Sequence, residues 1–476
     1  MKKTKIVCTI GPATKDVKVL KQMITEGMNV ARINFSHGNY EDQKVYIDAV
    51  KKAREEVNMP VALLLDTQGP EIRTGKLEEG SIMLVDDEEI VLTNKEMVGN
   101  KEKIYINYPN LYKDVHSGSR ILIDDGRLEL VVNKIKSGEI YCKIVNGGKL
   151  GERKSINVPG VKINLPALKE KDTQDLIDGC KAEFDYISAS FVRSEDDVKE
   201  IRRVLDENGG KDIKIISKIE SQEGVDNIED IVKISDGIMI ARGDLGVEVP
   251  LEEVPLVQKR IIKLCNKYGK IVITATQMLE SMTEKQRPTR AEVSDVANAI
   301  YDGTSAIMLS GESAIGKYPV DCVKTMVRIA NTVEKDIDYW KNFDNNVYDY
   351  SNPNYEFNIN HSICLTAREM NVRAFVSYTE RGDTPKTIAS FLPQCPIYTI
   401  TSNEMTYRQM ALGWGITPIL IKADVNPKEL ISMGIEQLKE KGILQKGDII
   451  AIAGGNLIVE NSKDVINRTI GGVLRI

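Results

Sequence analysis

In the segment IKIISKIESQEG, Lys218 and Glu220 stand two positions apart. Alternate side chains of an extended strand share a face, so an ammonium and a carboxylate point into the same space. The next apolar run, GIMIARGDLG, ends on a second carboxylate, Asp244. A cation beside two carboxylates on neighbouring strand ends is what a site needs to hold a divalent metal and an anionic substrate together. Mg²⁺ typically takes one or two carboxylates and completes its octahedron with substrate oxygens and water. A lysine at the inner end of a buried strand is seldom structural, because its charge must be paired or neutralised. Backbone N–H groups of Gly243 and Asp244, opening a helix, can bind a small carboxylate. Thr276 ends a later run, and Ser310 and Glu312 end the one after it; a hydroxyl there can relay a proton through water.

A second group lies upstream. MNVARINFSHG puts Arg32, Asn34 and Ser36 on one face of a strand, and polar groups there are costly to bury without partners. Asp66 and Thr67 end the following run, VALLLDT, and complete an all-oxygen cage with Asn34 and Ser36. Such a cage suits a hard monovalent or divalent cation. Arg73, just past the rigid Gly69-Pro70 turn, is placed to clamp a phosphate. GESAIGK, from Gly311 to Lys317, comes close to a phosphate-binding loop, but Tyr318 replaces the required Ser or Thr. Pro319 is also expected to disrupt the helix start there. With three histidines in the chain, a His-based zinc site or Ser-His triad is excluded.

The elements that must position these residues are eight apolar runs: TKIVCTI, MNVARINF, VALLLDT, FDYISASF, IKIISKIE, GIMIARGDL, IVITATQM and AIMLSGES. Helical periodicity fills most of the intervals, which predicts a parallel sheet. Eight such units predict a closed (β/α)8 TIM barrel, with chemistry at the C-terminal strand ends. The interval between the third and fourth runs is too long for one crossover. Its turn signals and the segments RILIDDG, LELVVNKI and EIYCKIV predict an inserted small all-β lid domain over residues 69–165. The barrel then comprises residues 1–68 and 166–338, residues 339–354 form a polar linker, and 355–476 a C-terminal doubly wound α/β domain.

Bulk properties set limits. At 476 residues the chain needs two or three domains, and 42% apolar content supplies their cores. A formal charge of −6 argues against nucleic-acid or polybasic membrane binding. No run approaches the roughly 18 apolar residues of a membrane helix, and the start, MKKTKIVCTIGP, is too short in apolar residues for a signal peptide. Seven scattered cysteines form neither a zinc nor a disulfide framework, so a cytoplasmic location is expected.

The segments TKIVCTIGPAT, MNVARINFSHG, LLDTQGPEIRTG, IISKIESQEGVDN, ARGDLGVE, TATQMLESM and RPTRAEVSDVANAIYDGTSAIMLSGESAIGKYP together resemble the pyruvate kinase family. They cover most of the barrel, in order. The resemblance implies phosphoryl transfer from phosphoenolpyruvate to ADP, giving pyruvate and ATP, and usually a homotetramer. It implies that Lys218 sits against the transferring phosphoryl group, that Glu220 and Asp244 hold Mg²⁺, and that a second Mg²⁺ arrives with the nucleotide. Arg73 would clamp phosphoryl oxygens, while Arg32, Asn34, His37 and Lys154 would join it at the nucleotide. Asn34, Ser36, Asp66 and Thr67 would ligate K⁺, and Thr276 would lie near the enolate face that is protonated. Gly243, Ser310 and Glu312 would contribute to the substrate pocket. Glu71 matches the K⁺-requiring type of the family; members with lysine there supply the cation themselves.

In the C-terminal domain, TERGDTPKTIASFLP matches a loop that binds phosphorylated effectors in relatives, which implies Thr379, Gly382, Thr384 and Lys386 as effector contacts. Arg381 stands where serine is usual, FLP replaces tyrosine-arginine-proline, and GGNLIVENSKDV lacks the family's Gly-x-Thr-Asn pattern. Two rival readings are a barrel enzyme acting on another Mg²⁺-bound pyruvate enolate, and a non-catalytic relative. The first does not need the lid, Arg73 or a K⁺ cage; the second requires a broken Lys218, Glu220, Asp244 or Thr276, and all are intact.

Overall fold

The computed structural model describes residues 2–345, 355–455 and 469–476. Eight parallel strands close into a barrel: Lys5–Thr9, Val30–Asn34, Ala62–Asp66, Tyr186–Ala189, Lys214–Ile219, Gly237–Ala241, Ile271–Ala275 and Ala306–Leu309. The first strand pairs with the last, Lys5 opposite Ala306, so no edge remains. Their apolar side chains alternate between two cores. Val7, Leu64, Ile216 and Met239 fill the barrel, while Ile6, Leu63, Ile215 and Ile238 meet the surrounding helices. Burial on both faces is why these strands read as continuous apolar runs.

The barrel helices start at side-chain caps. Asp16, Asn39, Ser194 and Thr289 each accept a backbone N–H of the turn that follows. Pro319, expected to disrupt a helix start, instead opens the helix Pro319–Asp336. A first-turn N–H has no partner within the helix, so its absence there costs nothing.

Between the third and fourth strands the chain builds a β domain with its own core of Leu92, Ile121, Leu130 and Ile144. Its main sheet runs in the order Ile72–Arg73, Ser155–Asn157, Arg120–Ile123, Leu128–Lys136, Glu139–Asn146, Glu89–Thr93, Lys103–Tyr105. Gly148–Gly151 and Ser81–Leu84 form a second ribbon. At its root, Gly69 has a φ of +76°, and a Cβ there would lie 2.7 Å from Ser190 Cβ. Only glycine permits that approach.

Residues 339–354, read as a linker, begin with a helix, Tyr339–Asn345. Tyr339 and Phe343, four apart on one face, are buried; residues 346–354 lie outside the described part. The C-terminal sheet has five strands in the order Ile416–Leu420, Ile397–Thr401, Ala374–Tyr378, Ile449–Gly455, Thr469–Arg475. Helices pack on both faces, through Ile388 and Phe391 on one and Leu430 and Ile431 on the other. The antiparallel fifth strand was not among the predicted elements, because Gly471-Gly472 dilutes its pattern. GGNLIVENSKDV starts at Gly454 and Gly455, which end the fourth of these strands, and the rest of it lies outside the described residues.

The C-terminal domain closes the barrel floor. Leu412 joins the barrel's inner core, and the Tyr186 hydroxyl donates to the Gln409 carbonyl at 2.7 Å. Arg408 Nε donates to Asp185 Oδ1 at 2.8 Å. Lys5 Nζ, buried at the foot of the first strand, donates to the Ile416 carbonyl at 2.5 Å. Burial, with Lys2 adding and Glu334 opposing, lowers the Lys5 pKa to about 7. A lysine whose folded pKa is depressed carries its full burial penalty below that pKa, and the penalty fades as pH rises toward the unfolded value near 10.4. Lys5→Met is therefore expected to gain more stability over the parent at pH 6.5 than at pH 9. Urea unfolding of both proteins at the two pH values measures the difference; a gain independent of pH would refute this account of Lys5.

Candidate active site

The barrel's C-terminal rim gathers the charges. Lys218 points inward from the fifth strand, and Glu220 follows on the same face past the strand's end. Lys218 Nζ lies 3.1 Å from Glu220 Oε1 and 3.2 Å from Asp66 Oδ1. It also donates to Ser190 Oγ at 2.8 Å. On the far side of Asp66 the Arg32 guanidinium binds Oδ2 through Nε and a terminal nitrogen. Arg32 is steadied in turn by Thr9 Oγ1 at 2.8 Å. Asp66 thus bridges two cations rather than standing free in an oxygen cage.

The electrostatics follow. Burial opposes the charge on Asp66, but Arg32 and Lys218 outweigh it and hold the carboxyl below its usual range. Burial likewise opposes the charge on Lys218, and Asp66 with Glu220 overcome it, holding the ammonium above its ordinary value. Glu220 differs: burial pushes it up to about 7 against the pull of Lys218, and Asp244 adds to the rise. One cation does not neutralise Glu220 and Asp244 together.

Asp244 lies in the first turn of the helix Arg242–Glu248, half-buried, with no hydrogen bond or ion pair among the described residues. Glu220 Oε2 accepts from the Phe191 N–H at 2.7 Å, which fixes the carboxylate. Two under-neutralised carboxylates at a rim, one of them free, are a donor set that fits a hard divalent cation. The monovalent set is also close together. Asn34 pairs with Asp66 in register across neighbouring strands, and Ser36 Oγ has no partner among the described residues. Asn34 Oδ1, however, accepts from the Ser36 N–H at 3.0 Å, and the Thr67 carbonyl accepts from Ser190 Oγ at 2.6 Å. The set is all oxygen, the donor type a hard monovalent ion takes, and Ser36 Oγ is its one side-chain oxygen without a partner among the described residues.

Several residues are placed differently from expectation. The Gly243 N–H, read as a free carboxylate donor, is taken by Thr276 Oγ1 at 2.8 Å. Thr276 itself has a φ of +69° and Gln277 of +53°. For a β-branched residue this left-handed conformation costs on the order of 1–3 kcal/mol. Glu312, read as a pocket residue, is buried with both oxygens committed to backbone: Oε1 to Leu279 N–H at 2.9 Å and Oε2 to Ser310 N–H at 2.7 Å. It shapes the rim instead of lining the pocket. Ser310 is half-buried beside it. His37 is exposed, in the loop before the helix Tyr40–Val57.

Arg73 and Lys154 make no contact with the Lys218 cluster. Arg73 binds Glu71 through Nε at 2.7 Å and the Arg153 carbonyl at 2.9 Å. Lys154 pairs with Asp124 at 2.8 Å within the lid. Between lid and barrel runs a cleft of about 410 Å³, bounded by Glu71, Val158, Phe191, Arg193 and Asp244. Arg193 ties the returning lid strap to the barrel through the Ile163 and Leu165 carbonyls, at 3.0 and 2.7 Å. Across the cleft, Asn157 Nδ2 of the lid donates to Glu248 Oε1 at 2.7 Å. Thr9, Ser190, Arg193 and Arg242 were missed by the sequence reading: a lone hydroxyl or exposed-looking arginine carries no local signal of a partner distant in sequence.

In the C-terminal loop, Thr379 Oγ1 accepts from the Gly382 N–H at 2.8 Å, and Gly382 is left-handed with a φ of +90°. Thr384 Oγ1 donates to Glu356 at 3.2 Å. Lys386 lays its stem against this loop, where a Cβ on Gly382 would lie 3.4 Å from its Cε. It borders a small cavity against the barrel with Lys270, Ser305, Ser390 and Trp414, where burial, with Lys214 adding, lowers its pKa to about 8. One helical turn beyond the loop rotates it inward.

The family model "Pyruvate kinase, barrel domain" matches residues 1–323, and "Pyruvate kinase, alpha/beta domain" matches residues 358–467. A pyruvate kinase of Clostridium acetobutylicum is 47% identical over 456 residues, covering 96% of each chain. One from Clostridium perfringens is 46% identical with the same coverage. Among solved structures, a pyruvate kinase from Cryptosporidium parvum superposes with a TM-score of 0.92 at 37% identity, covering 100% of this chain and 96% of its own.

The Asn157–Glu248 contact holds the lid against the barrel, so Glu248→Ala is expected to speed tryptic cleavage at the lid's return strap, around Lys162, several-fold. Limited proteolysis followed by mass spectrometry measures this; equal cleavage rates would show that the contact does not restrain the lid.

Proposed function

The chain belongs to the pyruvate kinase family, and from that premise we propose that the Lys218 cluster is where it transfers the phosphoryl group of phosphoenolpyruvate to ADP, yielding pyruvate and ATP. The observation that carries this reading is Lys218 Nζ, held between Asp66 at 3.2 Å and Glu220 at 3.1 Å and kept charged at the barrel's C-terminal rim. Phosphoryl transfer asks little covalent chemistry of a protein; it needs positioning and neutralisation of spread negative charge. Lys218 supplies a fixed positive charge to the group in flight, and Asp66 and Ser190 prevent that ammonium from swinging away.

Glu220 and Asp244 would hold Mg²⁺, which when bound draws electron density from the substrate's carboxylate and phosphoryl oxygens; a second Mg²⁺ would enter with the nucleotide. Asn34, Ser36, Asp66 and Thr67 would hold K⁺. Arg32, Arg73, His37 and Lys154 bind and orient the nucleotide side, Arg73 by exchanging Glu71 for phosphoryl oxygens as the lid moves. Thr276 Oγ1 stands at the protonated face of the enolate, within the pocket that Gly243, Asp244 and Ser310 border. Glu312 serves by holding Ser310.

Beyond chemistry, the reading includes a homotetramer and a cytoplasmic location, and among the described residues no helix is long and apolar enough to cross a membrane. An effector, if phosphorylated, would meet Thr379, Gly382, Thr384 and Lys386.

ATP formation from phosphoenolpyruvate and ADP, followed in a coupled assay, tests the whole reading. Lys218→Ala is expected to lower kcat ~10²-fold or more, and normal turnover would remove Lys218 from this role. Because Glu71 is a carboxylate bound to Arg73, no spare cation replaces the monovalent ion. Activity is therefore expected to collapse when K⁺ is exchanged for a bulky organic cation, and full activity without K⁺ would overturn the assignment of that site.

A further inference from the structure

We infer that Arg242 is a positioning residue for the reaction, holding Thr276 in the strained left-handed conformation that fixes where its hydroxyl stands. The inference rests on the reading of Thr276 as a group of the active site. Three observations meet here. Thr276 and Gln277 are consecutive left-handed residues with φ values of +69° and +53°, a conformation that persists only where surroundings over-determine it. The Arg242 fork supplies that determination: a terminal nitrogen donates to the Thr276 carbonyl at 2.7 Å and Nε to the Ala275 carbonyl at 3.2 Å. Its other terminal nitrogen donates to Asp295 Oδ1 at 2.7 Å and to Gln258 Oε1 at 3.3 Å.

Arg242 touches only the backbone of Thr276, so its influence passes through the loop and not through contact with substrate. It also opens the helix whose second residue, Gly243, donates to Thr276 Oγ1 at 2.8 Å. One helix start thus fixes both the backbone and the hydroxyl of Thr276, and it carries Asp244 as well. The planar guanidinium reaches two carbonyls and an acid at once. A lysine ammonium is a compact point charge that cannot span them.

The test is a double-mutant cycle on the whole enzyme, with kcat, KM for both substrates and melting temperature measured for Arg242→Ala, Arg242→Lys, Thr276→Ala and the two combinations. Arg242→Ala is expected to lower kcat on the order of ten- to a hundred-fold, as misplacement of a reacting group does, with KM for ADP unchanged. Arg242→Lys is expected to recover little of the loss. In the Thr276→Ala background, either Arg242 change is expected to cost less than about three-fold more, because residues acting as one unit are non-additive. Losses that multiply, or full kcat in Arg242→Lys, would overturn the inference while leaving Thr276 in place. Parental kcat in Thr276→Ala would instead overturn the reading of Thr276, and this inference with it. If Arg242→Ala melts well below the parent, the cycle is read from Arg242→Lys.

Discussion

The site depends on one fully buried carboxylate, Asp66, standing between Arg32 and Lys218. Without it Arg32 would lose its acid partner and Lys218 one of its two, and breaking a buried pair is far more costly than never having formed it. Asp66 lets both cations exist 'dry' and charged, and the two cations in turn keep Asp66 ionised. The consequence is directional. Lys218 cannot relax toward solvent, so its positive charge is already where a phosphoryl group would need it.

Around that pair the rest of the rim acts by elimination. Backbone N–H groups and small hydroxyls occupy the surplus oxygens: Phe191 on Glu220, Ser190 beside Asp66, Leu279 and Ser310 on Glu312. What remains unclaimed among the described residues is the Asp244 carboxylate, with Glu220 still under-neutralised. The geometry therefore concentrates its unmet negative charge on one spot next to the fixed ammonium. That is the kind of imbalance a hard cation would answer.

The barrel was legible in the sequence because strands buried on both faces leave an unbroken apolar signature, and the lid because its interval was too long for a crossover. The pairing of Lys218 with Glu220 was legible too, since it depends only on strand periodicity. The partnership of Asp66 with Arg32 and Lys218 was not, because it joins three strands distant in sequence; Asp66 read alone looks like a cation ligand. Glu312 was misplaced for a related reason. A polar residue near a strand end or loop carries no mark of whether backbone donors or a second domain will claim it. Thr276 was read as a hydroxyl at a strand end, with no hint that the chain would turn left-handed there, since such turns usually announce themselves with glycine or asparagine.

The way the C-terminal domain seats itself has a consequence for the enzyme's minimal size. Leu412 completes the hydrophobic filling of the barrel, while Gln409 and Arg408 satisfy Tyr186 and Asp185 at its base. A chain cut after the eighth barrel unit would expose that opening to solvent and leave buried Asp185 with only the Leu63 N–H and Arg54 as partners. Catalysis and the distal domain are thus inseparable at the level of folding, before any question of regulation arises: the barrel has no bottom of its own.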